Sequence, residues 1–141
     1  MQHWKIFYVY ILTNELKTVL YVGMTNNLEQ RIVEHYKQRG QRTSFTGKYN
    51  VYFLLWFETH QYVNNAIARE NDIKAWRREK KMRLIAEMNS ELKFLNEEIF
   101  GKWPPDELPE REENFSWLNI HLITHHRSLL RRDDKDSELS F

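Results

Sequence analysis

The stretch FYVYILTNELKTVLYVGMT, residues 7–25, decides the fold. Residues 6–13, IFYVYILT, are apolar and aromatic with β-branched members, which is the composition of a strand. NELK follows as a polar turn, with Asn14 its turn-forming residue. TVLYVGMT, residues 18–25, is the return strand. Each strand carries a tyrosine, Tyr10 and Tyr21, and the second is followed by a lone Gly23. Alternation puts Tyr8, Tyr10 and Leu12 on one face and Val9 and Ile11 on the other. Tyrosines suit strands without further purpose. A strand glycine does not; it marks a bulge or a close backbone approach. Here, just before a helix start, it reads as the turn that lets the next helix deliver its side chains.

Outward from the hairpin, TNNLEQRIVEHYKQRG opens with Asn and Thr candidates for a helix N-cap. Leu28, Ile32 and Tyr36 recur at helical spacing, and Gly40 is placed to end the helix. QRTSFTGKYN reads as a polar loop. VYFLLWFE, residues 51–58, is nearly continuously apolar, so it reads as a central strand covered on both faces. Residues 62–89 have a helical pattern, with a break near Trp76 to Lys81. Residues 91–100 suggest a short closing helix. The order strand, strand, helix, strand, helix, helix gives an α+β fold: a small mixed sheet of about three strands flanked by helices. The domain spans 1–100. Residues 101–141 form an acidic, proline-containing linker and C-terminal extension. Within it, FSWLNIHLITHHRSLL reads as a short amphipathic segment, and the end as frayed.

The 141 residues contain no cysteine, which excludes disulfide scaffolds and cysteine-ligated zinc and fits a reducing cytoplasm. No apolar run is long enough for a membrane span, and MQHWKIFYVY lacks the features of a signal peptide. The net charge of +1 hides an asymmetry. Residues 1–89 carry 14 basic and 8 acidic side chains, and residues 90–141 carry 7 and 12. A basic body with an acidic tail fits a polyanionic partner for the body.

Several side chains stand out as chemistry-bearing. Arg31 and His35 share a helix face beside the Leu28/Ile32 stripe. Arginine offers a planar fork of donors to phosphate, and histidine can hold or relay a proton near neutral pH. Taken alone, the pair is accounted for more simply by a solvated helix edge. Glu70 lies among Val63, Ala66, Ile67 and Ile73. On a helical wheel set at Val63 it falls at about 340°, inside their apolar arc. A carboxylate so directed is costly unless paired, hydrogen-bonded or bound to metal. It is either half of a buried ion pair, with Arg31 the candidate, or a ligand to a hard divalent cation. Lys74, Arg77, Arg78, Lys80 and Lys81, with Arg83 beyond, suit a phosphate-backbone surface, as they suit a plain solvated face. His121 and His125 have helical metal-ligand spacing but nothing nearby completes a set.

Taken together these residues resemble the GIY-YIG nuclease superfamily. The likeness is greatest to its small stand-alone bacterial members related to the nuclease domain of the excision-repair endonuclease. The first motif is YVYIL, with Val9-Tyr10 in place of Ile-Tyr and Tyr8 in place of the first glycine. The second is YVG, Tyr21 to Gly23. Ten residues separate the tyrosines, and Arg31 follows Gly23 by eight. His35 and Glu70 match the family histidine and glutamate, and Asn89 is a loose counterpart of a late asparagine. The resemblance covers about residues 6–100. It implies metal-assisted hydrolysis of a DNA phosphodiester, in double-stranded or branched DNA, in repair or DNA turnover. Glu70 would hold one Mg²⁺ or Mn²⁺. Tyr10 would activate water with its pKa lowered by that ion, and Tyr21 would orient phosphate or water. Arg31 would stabilise developing charge, and His35 would relay a proton or hold Tyr10 in its working ionisation state. The alternative is a nucleic-acid-binding or recruitment module with weak or no cleavage. All of this requires a strand register that lets Tyr10 and Tyr21 converge.

Overall fold

A computed structural model describes residues 5–106. The readings of the extension from residue 107 onward, including His121 and His125, lie outside the described residues.

The hairpin forms as the sequence requires. Strand β1 (Phe7–Thr13) pairs antiparallel with β2 (Leu20–Thr25). Asn14 builds the turn. Its Oδ1 accepts from the Thr18 and Val19 amides at 2.9 and 3.2 Å, and its backbone oxygen accepts from the Lys17 amide at 3.0 Å. Helix α1 (Leu28–Lys37) starts at Asn27, whose side chain accepts from the Gln30 amide. Gly40, at φ 81°, then turns the chain, and its amide donates to the carbonyl of Gly47 at 2.9 Å. The segment that read as a polar loop contains a short helix, α2 (Phe45–Lys48), capped by Ser44.

Strand β3 (Phe53–His60) pairs antiparallel with β1, giving the order β2-β1-β3. The sheet is therefore antiparallel throughout rather than mixed, and β1, not β3, is central. The apolar run of β3 is explained differently. Its outer edge is covered by the chain after the last long helix. The Leu95 amide donates to the Leu54 carbonyl at 2.8 Å. Asn96 Oδ1 accepts from the Leu54 amide at 2.8 Å, and its Nδ2 donates to the Tyr52 carbonyl at 3.0 Å. Asn89 Nδ2 donates to the Leu55 carbonyl at 3.0 Å. Side-chain amides and the Leu95 backbone thus cover the start of β3, around Leu54 and Leu55. A bulge between Ile11 and Leu12 shifts the β1–β3 register where this cover begins.

The helical stretch splits into α3 (Val63–Ala75) and α4 (Arg78–Met88) because Trp76 and Arg77 are extended, with ψ of 151° and 157°. A last short helix, α5 (Asn96–Phe100), closes the domain. The sheet separates two cores. On one face Val9, Ile11, Val22 and Met24 pack with Leu55, Trp56, Ala66, Ile73 and Ile85. On the other, Tyr10 and Leu12 pack with Leu28, Ile32, Val51, Leu54 and Leu95. Trp103 joins this second core, with its ring 5.2 Å from Tyr36 and 5.1 Å from Phe100. The first residues of the extension therefore pack on the domain. Among the described residues no helix is long and apolar enough to cross a membrane.

Candidate active site

The β1–β2 register places Tyr10 opposite Gly23 and Leu12 opposite Tyr21. Tyr10 and Tyr21 are thus diagonal neighbours on one face, with ring centroids 6.5 Å apart. Tyr10 leans across the glycine: a Cβ on residue 23 would lie 2.5 Å from its hydroxyl oxygen. Gly23 is therefore a close-approach glycine within β2, and the turn into α1 comes later, at Asn26 and Asn27.

Helix α1 crosses above the tyrosines and delivers both of its predicted groups. His35 Nε2 is 3.2 Å from the Tyr10 hydroxyl. The His35 ring also sits edge-on to Tyr21, with centroids 5.4 Å apart. Its other nitrogen, Nδ1, is 3.0 Å from Thr46 Oγ1 on α2. Tyr10, His35 and Thr46 are all buried, so the three form an internal hydrogen-bonded chain. Burial, helped by the charge of Arg31, lowers the pKa of His35 well below its ordinary value, so the ring is neutral at pH 7.

Arg31 donates from Nη1 to Glu34 Oε2 at 2.8 Å. Burial disfavours its charge, but Tyr10, Tyr21 and Glu34 outweigh this and hold the guanidinium protonated. Burial raises the pKa of Tyr10 above its ordinary value, Arg31 pulls it back, and Tyr21 and Glu70 push it further up. The lowered tyrosine pKa expected from the sequence is thus not a property of the protein alone, because desolvation wins in the absence of a cation.

Glu70 is on α3, inside the apolar arc as its wheel position indicates, and it is 1% exposed. Its ion-pair partner is Lys74, one turn on, with Nζ 3.2 Å from Oε1. The pairing with Arg31 that the sequence left open is replaced by these two local pairs, Glu70–Lys74 and Arg31–Glu34. Neither Glu70 oxygen accepts a hydrogen bond. A buried carboxylate with unfilled lone pairs fits a hard cation. No group of three or more His, Asp or Glu side chains gathers around a point among the described residues. One carboxylate is enough for Mg²⁺ when waters and substrate phosphate complete the shell.

The basic surface needs correction. Lys74 and Lys81 are buried, at 8% and 2% exposure, because α3 and α4 turn them inward. Arg78 braces the hairpin turn, donating to the Lys17 and Thr18 carbonyls at 2.8 and 3.3 Å. Arg77, Lys80 and Arg83 are exposed, and the Lys80 ammonium lies 4.2 Å from the centre of the Trp76 ring. Asn89 is committed to the sheet edge through Leu55, and to Lys93 through both ends of its amide. Its role in these contacts is architectural. The residue missed by sequence is Thr46. The signal for it was Ser44 followed three residues later by Gly47, the cap and tight spot of a helical turn within an apparently polar loop.

The GIY-YIG catalytic domain family matches residues 6–83, more than half of the chain and a span that contains Tyr10, Tyr21, Arg31, His35, Thr46 and Glu70. A UPF0213 protein of Natronomonas pharaonis is 36% identical over 80 residues, covering 57% of this chain and 91% of that protein. One from Haloquadratum walsbyi is 35% identical over 80 residues, covering 57% and 86%. One from Staphylococcus aureus is 34% identical over 68 residues, covering 48% and 80%. No solved structure matches the chain. The chain belongs to the GIY-YIG family, a nuclease superfamily, and resembles the small UPF0213 branch of it.

Proposed function

We propose that the protein is a metal-dependent DNA endonuclease that hydrolyses phosphodiester bonds, acting in DNA repair or turnover. The observation that carries this reading is the buried chain Tyr10–His35–Thr46, flanked by Tyr21 and Arg31. A tyrosine needs help to act as a base at neutral pH, because its ordinary pKa is about 10. Here it has a hydrogen-bonding imidazole on its oxygen and a fixed guanidinium charge nearby.

The roles follow from chemistry. His35 is neutral, so one ring nitrogen donates and the other accepts. With the Thr46 hydroxyl donating to Nδ1, Nε2–H donates to the Tyr10 oxygen and stabilises its anionic form. Tyr10, having first lost its own proton to solvent, then takes one from the attacking water, and His35 stays neutral throughout. Arg31, held protonated, stabilises negative charge on the phosphoryl oxygens as the water attacks in line. Tyr21, beside both Tyr10 and His35, orients the phosphate or the water. A divalent ion held by Glu70, Mg²⁺ or Mn²⁺, would supply charge neutralisation at the scissile phosphate and lower the Tyr10 pKa. Exposed Arg77, Lys80 and Arg83 supply non-specific attraction to the DNA backbone.

The test is nicking of supercoiled plasmid and of branched DNA by the purified full-length protein with Mg²⁺ or Mn²⁺. Activity should require the metal and disappear in Tyr10→Phe and Glu70→Ala. Cleavage that survives both substitutions would sink this assignment of the site. Salt-sensitive DNA binding without products would make the protein a binding module instead.

A further inference from the structure

A buried lysine is uncommon and has to be accounted for. Lys74 is 8% exposed, on the helix that carries Glu70, and its ammonium is 3.2 Å from a Glu70 oxygen. Ala66 and Ile73 of the same helix are fully buried against the sheet. A carboxylate left alone in such surroundings would be strongly destabilised. The pair fits the i,i+4 order, glutamate first, that suits a helix. Yet the match is incomplete. Both Glu70 oxygens lack hydrogen-bond partners, so Lys74 supplies charge to the carboxylate without filling its lone pairs. An ammonium placed to neutralise but not to saturate leaves room for something better.

We propose that Lys74 is the resident counter-ion of the cation site, neutralising Glu70 in the metal-free protein and giving way to a divalent ion when one binds. This rests on the reading of Glu70 as the metal ligand. It makes Lys74 a positioning residue that sets how tightly the metal is held. The metal must compete with an ammonium already present, so the site is intact without metal and its affinity is moderated. Arg31 is engaged by Glu34, and Arg69 by Glu58 at 3.1 Å.

The experiment measures Mn²⁺ binding to the full-length protein by calorimetry and electron paramagnetic resonance, with no DNA present, alongside thermal melts with and without Mn²⁺. In Lys74→Met the competing charge is gone and the carboxylate is uncompensated. Mn²⁺ should then bind about tenfold more tightly, the order expected for removing a like charge a few ångströms from the ion. Mn²⁺ should also raise the melting temperature of this variant by more than it raises that of the native protein. Lys74→Arg keeps the charge and offers a fork that can fill the carboxylate lone pairs, so it should bind Mn²⁺ no more tightly than the native protein. A Lys74→Met protein that folds only when Mn²⁺ is present would be the same result in stronger form. Equal or weaker Mn²⁺ binding by Lys74→Met, or a misfolded variant that Mn²⁺ does not rescue, would overturn the proposal. Failure of the underlying reading looks different. In that case Mn²⁺ would bind the native protein and Glu70→Gln alike.

Discussion

The Tyr10 hydroxyl lies over Gly23, its cross-strand partner, so close that a Cβ there would come within 2.5 Å of the oxygen. The two residues are coupled: the glycine leaves the space in which the phenol reaches His35. Its backbone conformation is an ordinary strand one, and only the space demands glycine.

Gly23→Ala should therefore act on the site first. Tyr10 is 1% exposed and has nowhere to go, so the methyl group must displace its ring or part β1 from β2. Overpacking of this kind costs about 1–3 kcal/mol. Denaturant unfolding should show that loss. Nicking should fall by more than the loss of folded protein accounts for, because the Tyr10–His35 contact is broken. Native cleavage by Gly23→Ala would mean that Tyr10 does not need its present position.

His35 gives the fold a pH dependence with a definite sign. Its folded-state pKa is depressed, while unfolded it titrates near the ordinary value of 6.5. Below that pH the unfolded chain binds a proton that the folded protein refuses, so stability falls as pH drops from about 6.5. The slope from this one group approaches about 1.4 kcal/mol per pH unit. Melting curves between about pH 7.5 and pH 5 should show the native protein losing stability faster than His35→Asn. Parallel curves would mean that His35 is protonated in the folded state.

Thr46 should fix which nitrogen of His35 bears the proton. With the hydroxyl donating to Nδ1, nitrogen NMR should find the hydrogen on Nε2 in the native protein. Thr46→Ser keeps the donor and should leave this unchanged. Thr46→Val removes it and leaves a buried ring nitrogen unpartnered, which costs about 1–3 kcal/mol. The resulting tautomer shift should lower the cleavage rate more than substrate binding. Native signals in Thr46→Val would remove Thr46 from the chain.

Gly23 and Glu70 stand out in the sequence because each breaks a local rule: Gly23 interrupts a strand and Glu70 faces an apolar arc. Arg31 and His35 border a buried stripe, a placement that a solvated helix edge also explains, and only the family resemblance singles them out. Tyr10 and Tyr21 needed only the hairpin register. Burial was less legible. Lys74 and Lys81 sit in a run of charges, where charge alone suggests a solvated surface, and only the packing of α3 and α4 turns them inward. The apolar run of β3 looked like a central strand because its cover comes from far along the chain. Asn96 and Asn89, which lie 42 and 34 residues beyond the strand positions they bond, supply the missing edge contacts.

The exposed part of the basic run should govern DNA binding. Arg77 and Lys80 face solvent, whereas Lys81 does not. Arg77→Ala with Lys80→Ala should weaken binding uniformly across sequences. It should also flatten the plot of log affinity against log salt by about one to two units. The protein should melt as the native one does. An unchanged salt slope would place the DNA on another face.

The sheet edge should be separable from the chemistry. Asn96 is 1% exposed, and its side chain both accepts from the Leu54 amide and donates to the Tyr52 carbonyl. Asn96→Ala deletes both bonds and strands two backbone groups at the margin of the core. Each stranded group costs about 1–3 kcal/mol, so a large loss of stability is expected from one small substitution. Asn89→Ala, which frees the Leu55 carbonyl and the Lys93 backbone, should behave alike. Neither side-chain amide bonds to Tyr10, His35 or Glu70. At a temperature where the variants remain folded, Mn²⁺ affinity and cleavage per folded molecule should match the native protein. Asn89→Ala that melts normally but has lost cleavage would move Asn89 from the sheet edge into the catalytic site.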